Sequence, residues 1–231
     1  LKGIDTGIQN EPKIYVENNL DQKVWMQEEV WPPKSYKSYR VQGNGNQMIV
    51  DDLSQTIYDR KQKNTKAWLD ELVLTQNAHS LSFDLEIMKE DTRFAGRAKV
   101  SFRARIQQPT AILSAMLVEK GKQVRLTSNL DGDENRSFVF KMEDEPSDYF
   151  VITRGWMNAQ NRLNNYSKEA IDPDTWYTYS FDFVSNDYTI PKGHTLSLIL
   201  YGMDVDQTQL PFVVTKIEVD TTSIVCDCPI E

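Results

Sequence analysis

Histidine and cysteine are scarce: the 231-residue chain has two of each. That scarcity narrows the available chemistry at once. His79 and His194 are far apart in sequence and give no H-E-x-x-H or related metal spacing. Cys226 and Cys228 stand in the tripeptide CDC, with no loop between them worth closing by a disulfide. A C-x-C metal clip would need further Cys or His ligands, and none lies within sequence reach. A reduced thiol pair in a cytoplasmic protein is the expected state. No G-x-S-x-G pentapeptide occurs, so the strained turn that exposes a hydrolase serine is missing. A Cys–His nucleophile pair would have to be assembled by folding alone. No apolar run approaches the ~20 residues of a membrane-spanning helix. The opening LKGIDTGIQN has neither the basic start nor the apolar stretch of a signal peptide, and it begins on Leu1 rather than methionine. Basic residues are scattered, and the formal net charge of −8 works against nucleic acid or an anionic membrane as partner. No cofactor is expected.

What the chain does have is alternation. Leu81, Phe83, Leu85 and Ile87 alternate with polar residues, as do Ala98, Val100, Phe102, Ala104 and Ile106, and then Tyr177, Tyr179, Phe181 and Phe183. A period of two sends one set of side chains to a core and the other to water. Shorter strand candidates lie at 13–18, 38–43, 111–121, 122–128, 137–142, 148–154, 195–202, 211–219 and 221–226. Helical pattern is confined to 53–62 and 66–74. Many short strands with few crossover helices predict an all-β, antiparallel β-sandwich with one or two short helices. The polar stretch 51–80 reads as a connecting segment between residues 1–50 and a sandwich core at 81–231.

Other features have a plain reading and a functional one. Asp131, Asp133 and Asn135 in NLDGDENR are spaced like the start of a calcium loop, but the sixth-position glycine and distal glutamate are absent, and Asp-Gly is a hairpin signal. Glu143, Asp144 and Glu145 read as a solvated loop before Pro146, with nothing apolar to shift a pKa. The N-x-S triplets at Asn135 and Asn165 would carry nothing in a cytoplasmic protein. Trp25, Trp31, Trp68, Trp156 and Trp176 serve either as core fillers or as a sugar-binding platform; the second makes the chain a free-standing carbohydrate-binding module.

Several segments in order resemble one family. LKGIDTGIQNEPKIYVE and the W-x(5)-WPP of Trp25–Pro33 are followed by SAMLVEKG (114–121), ITRGWMNAQNR (152–162), DYTIPKGHTLSLILYGMD (187–204) and TKIEVDTTSI (215–224). Together they resemble the C-terminal β-domain of Xaa-Pro dipeptidyl-peptidases, serine peptidases related to the cocaine-esterase-like acyl hydrolases. The resemblance implies a jelly-roll-like sandwich of the galactose-binding-like type. It also implies a catalytic α/β-hydrolase domain upstream as partner, a triad outside this chain and no catalytic residue carried over. A homo-oligomer is kept beside a monomer. The G-H-x-L pattern makes His194 a brace where the Pro191–Gly193 turn leads into a strand; His79 reads as a surface residue. In the polar loop, Arg154, Asn158, Asn161 and Arg162, with Trp156 as anchor, are expected either to order the loop internally or, together with His194, to face the catalytic domain or the rim of its pocket.

Overall fold

The computed structural model describes residue 7 and residues 14–19, 25–32, 35–129 and 139–230. In chain order the strands among these are β1 (Ile14–Glu17), β2 (Trp25–Glu28), β3 (Lys37–Arg40), β4 (Asn46–Asp51), β5 (Ser80–Ile87), β6 (Thr92–Gly96), β7 (Lys99–Ile106), β8 (Ile112–Gln123), β9 (Leu126–Asn129), β10 (Val139–Met142), β11 (Ser147–Asn158), β12 (Tyr177–Asp182), β13 (Asn186–Ile190), β14 (Thr195–Tyr201) and β15 (Thr215–Cys228). One α-helix, α1 (Thr65–Leu74), lies between β4 and β5, preceded by a 3₁₀ turn at Leu53–Gln55. The expected helix at 66–74 therefore forms, and only the first residues of 53–62 are helical.

Two sheets stack, as the alternation predicts. A four-stranded sheet runs β11–β8–β14–β5, and a five-stranded sheet runs β12–β7–β15–β3 with β4 also on β15. Pairing is antiparallel throughout the described residues. Val100, Phe102, Ala104 and Ile106 of β7 point inward with Tyr179, Phe181 and Phe183 and meet Leu113, Leu117, Leu196, Leu198 and Leu200 of the other sheet. Ile87 departs from the pattern, being 64% exposed at the end of β5. The opposite face of the four-stranded sheet is also covered: Trp68, Leu72 and Val73 of α1 pack on Met116, Val118, Ile199 and Tyr201. Trp68 meets Tyr201 edge-on at 5.9 Å between centroids. The order of layers is helix, sheet, sheet.

The five-stranded sheet reaches further toward the N-terminus than 81–231, because β3 and β4 both pair with β15. The strand candidates 211–219 and 221–226 are one strand with a register shift between Asp220 and Val225. There Thr221 donates to the Gly45 carbonyl through both its N–H (3.1 Å) and its hydroxyl (2.6 Å). The short ladder β6–β13 carries the hairpin β1–β2, and Arg93 clamps it by pairing with Glu28 (2.6 Å) and Asp187 (2.5 Å).

Candidate functional site

The residues singled out in the sequence divide among three places. His194 closes a buried polar knot at one end of the sandwich. Along β8 the inward positions run Leu113, Ala115, Leu117 and then Glu119, whose carboxylate is fully buried. Arg125 donates to it from Nε (3.1 Å) and Nη2 (2.8 Å), the Tyr188 hydroxyl donates at 2.8 Å, and His194 Nδ1 is hydrogen-bonded to Oε1. The other Arg125 contacts go to the carbonyls of Gly121, Gln123 and Ser147 and to the Ser147 hydroxyl. Burial, reinforced by Glu119, pushes the Tyr188 hydroxyl well above its ordinary range. The His194 ring lies directly over Gly121, where a Cβ would collide with it. Such a knot, with its buried charge paired and hydrogen-bonded, matches the brace expected at this strand. Sequence reading missed Glu119; the available signal was a carboxylate continuing the apolar face of a strand.

Arg154 belongs to a second place. Its side chain reaches Asp204 and Asp206, each at 3.2 Å, and Asp204 also accepts from the Tyr201 hydroxyl at 2.7 Å. Burial works against the Arg154 charge, but Asp204 and Asp206 overcome it and raise its pKa. It therefore orders the loop after β14.

The third place holds Trp156, Asn158, Asn161 and Arg162 together. They line a groove of about 1080 Å³ between the edges of β11 and β12. Three of the four order the loop internally. Asn158 accepts from the Gln160 N–H (2.9 Å), Asn161 donates to Ser167 O (2.9 Å), and Arg162 donates to the carbonyls of Glu169 (3.2 Å) and Ala170 (2.9 Å). The Arg162 guanidinium also sits 4.2 Å over the Tyr177 ring. Trp156 is a groove wall rather than a buried anchor, being 38% exposed. Tyr166 at 99% and Leu163 at 72% exposure stand beside it. The narrow end depends on Gly155, since a Cβ there would lie 2.6 Å from the Asp182 carbonyl oxygen.

The groove has a sign. Arg97, Lys99 and Arg162 line it against one carboxylate, Asp182, which lies 3.7 Å from Arg97. Its walls are strand edges with no ladder partner on this side among the described residues, because β11 and β12 each end a sheet. The Val184 N–H donates to the outward-facing Arg154 carbonyl at 2.8 Å. By the alternation of an antiparallel strand, the backbone groups of Trp156 also face out. The Phe183 N–H donates to Ala98 O on the β7 side (2.9 Å), which turns the backbone groups of Ser180 and Asp182 toward the groove.

The remaining tryptophans are structural or lie elsewhere. Trp68 is core, and Trp176 lies beneath Arg103 and Arg105 at 5.7 and 5.4 Å. Trp31 is half-buried; the side chain of Trp25, like Asp131, Asp133 and Asn135, lies outside the described residues. His79 is half-buried, its ring nitrogens facing the carbonyls of Val50 (2.8 Å) and Gln55 (3.2 Å). Among the described residues no group of three His, Cys, Asp or Glu is placed to hold a metal. The thiols of Cys226 and Cys228 are buried and free, 3.6 Å apart.

Comparison with known proteins fits this arrangement. A Xaa-Pro dipeptidyl-peptidase of Ligilactobacillus salivarius is 26% identical over 245 residues, covering 95% of this chain and 30% of the relative. Across the first relatives the chain spans about a third of their length, between 30% and 35%. Two solved structures share the fold. They are an alpha-amino acid ester hydrolase (TM-score 0.66, 13% identity, covering 95% of this chain and 41% of that one) and a CocE/NonD family hydrolase of Staphylococcus aureus (TM-score 0.63, 12% identity, covering 100% and 44%). Residues 6–225 match the model of the X-Pro dipeptidyl-peptidase C-terminal non-catalytic domain, and the chain belongs to that family.

Proposed function

We propose that this chain is the accessory C-terminal domain of an enzyme that releases Xaa-Pro dipeptides from peptide N-termini, packing on an upstream α/β-hydrolase domain that holds the serine, histidine and acid. The observation that carries this is the family match over residues 6–225 by a chain spanning only about a third of its relatives. The geometry supports it. Acyl transfer needs a nucleophile whose base lies within hydrogen-bond reach, yet His194 is committed to Glu119 and His79 to two backbone carbonyls. The free buried thiols suit a reducing, cytoplasmic setting.

The test is hydrolysis of Gly-Pro p-nitroanilide. The 231-residue chain should be inert, whereas the polypeptide that includes the upstream domain should turn the substrate over and be silenced by a serine-directed inhibitor. Inhibitor-sensitive turnover by the chain alone would refute the reading.

Of the residues expected at an interdomain contact or pocket rim, we assign that role to Trp156, with Asn158, Asn161 and Arg162 holding the adjoining loop. Arg154 acts through internal ion pairs and His194 through its hydrogen bond to Glu119. A second reading, glycan binding, is favoured by the half-exposed Trp156 beside the fully exposed Tyr166. Retention on a glycan array that is lost in Trp156→Ala would select it.

A further inference from the structure

We propose that the open edge of β12 accepts one more strand, an extended acidic segment of the upstream polypeptide, laid in the groove between β12 and β11. This rests on the accessory-domain reading above and names the surface and the kind of segment that reading requires.

Two observations converge. First, the outward backbone groups of Ser180 on β12 and of Trp156 on β11, beyond the narrow end where the Asp182 carbonyl meets Gly155, have no strand to pair with among the described residues. Unpaired sheet edges are templates for a further strand and are normally covered or blunted. Here the edge opens into a groove instead. Second, three cationic side chains face one carboxylate in that groove, and Lys99 has no ion-pair partner among the described residues. In a chain of net charge −8, a locally cationic groove selects for acidic side chains. Trp156, Leu163 and Tyr166 add an exposed apolar wall for an aliphatic or aromatic side chain of the same segment.

Pro32 and Tyr36 lie against Gly96 and Arg97, beside the groove. Gly96 leaves room for Pro32, since a Cβ on it would lie 2.5 Å from the Pro32 Cβ, and the Tyr36 hydroxyl donates to the Arg97 carbonyl at 3.4 Å. Arg97 itself lines the groove. Polypeptide joined upstream is covalently tethered to this domain. Tethering gives it an effective concentration on the order of millimolar, which favours it over a second copy in dilute solution.

The experiment compares hydrogen–deuterium exchange of the 231-residue chain with that of the full-length polypeptide, read in fragments covering 155–158 and 178–183. The expected result is exchange slowed at least tenfold in both fragments of the full-length protein, at every concentration, with fast exchange restored by Lys99→Glu. Equal rates in the two proteins would overturn the proposal. So would slowing that vanishes on dilution, which would mark a second copy, or equal slowing of the isolated chain by xylohexaose or maltohexaose, which would mark a glycan groove. Gly-Pro p-nitroanilide turnover by the same full-length sample separates the two levels. Turnover with unprotected edges removes only the groove assignment, and protected edges without turnover remove only the dipeptidyl-peptidase reading.

Discussion

The two ends of the sandwich treat charge in opposite ways. At the His194 end, Glu119 and Arg125 are taken out of water and each finds its partners inside the molecule. At the Trp156 end, Arg97 and Lys99 stay in solvent and strand edges have no ladder partner among the described residues. Both were picked out in the sequence by the same kind of signal, polar residues and glycines set among apolar strands. A polar cluster whose hydrogen bonds are used up internally holds the fold together, whereas one whose groups remain unused is available to a partner.

The comparison breaks most sharply at Glu119. Glu119→Ala leaves Arg125 buried without its counter-charge, and removing one member of a buried pair costs about 3–5 kcal/mol. Urea unfolding should show that loss; a change as small as that of a surface substitution would mean that the knot is wetter than its geometry implies.

Asp51 sharpens the point, because it is buried without an ion pair among the described residues. Burial raises its carboxyl to about 6 from an ordinary 3.8, despite a backbone N–H from Met203 and the nearby His79. The folded state then holds the proton more tightly than the unfolded chain does. Stability contributed by this group is present below pH 4 and is lost as pH rises through 6. The full shift corresponds to about 3 kcal/mol. Asp51→Asn should flatten the stability profile between pH 4 and 6 and leave the variant the more stable protein at pH 7. An unaltered profile would show that Asp51 is already solvated.

Next comes the packing of His194 on Gly121. Gly121→Ala should cost roughly 1–3 kcal/mol by overpacking against the ring. His194→Ala alone should cost about 1–2 kcal/mol, since Glu119 keeps Arg125 and Tyr188. In the double variant the collision is gone, so the two losses should fall short of adding. Strict additivity in thermal melts would place the ring elsewhere. The smallest effect belongs to the groove: Trp156→Ala should move stability by less than about 1 kcal/mol, because little of that ring is committed to a core.

The sandwich was legible because its core strands are one-sided, so that Phe102, Tyr179 and Leu198 each carry the period of two. Strand β4 was not foreseen, since NQMIVD mixes polar and apolar residues and acquires its pairing only from β15. The break expected at Asp220 proved to be a bulge, which local turn chemistry imitates. At the candidate site, sequence spacing brought Trp156, Asn158, Asn161 and Arg162 together correctly because they are neighbours along the chain. It could not separate Arg154, whose partner Asp204 comes from the loop after β14, or find Glu119, whose importance depends on residues up to 75 positions away.

The placement of β15 constrains how the molecule is made. Residues 215–228 lie between β7 on one side and β3 with β4 on the other, yet they follow all three in synthesis. Until they leave the ribosome, at about 5–20 residues per second, a central seam of the larger sheet has no occupant. The earlier strands must wait with their apolar faces showing until it does.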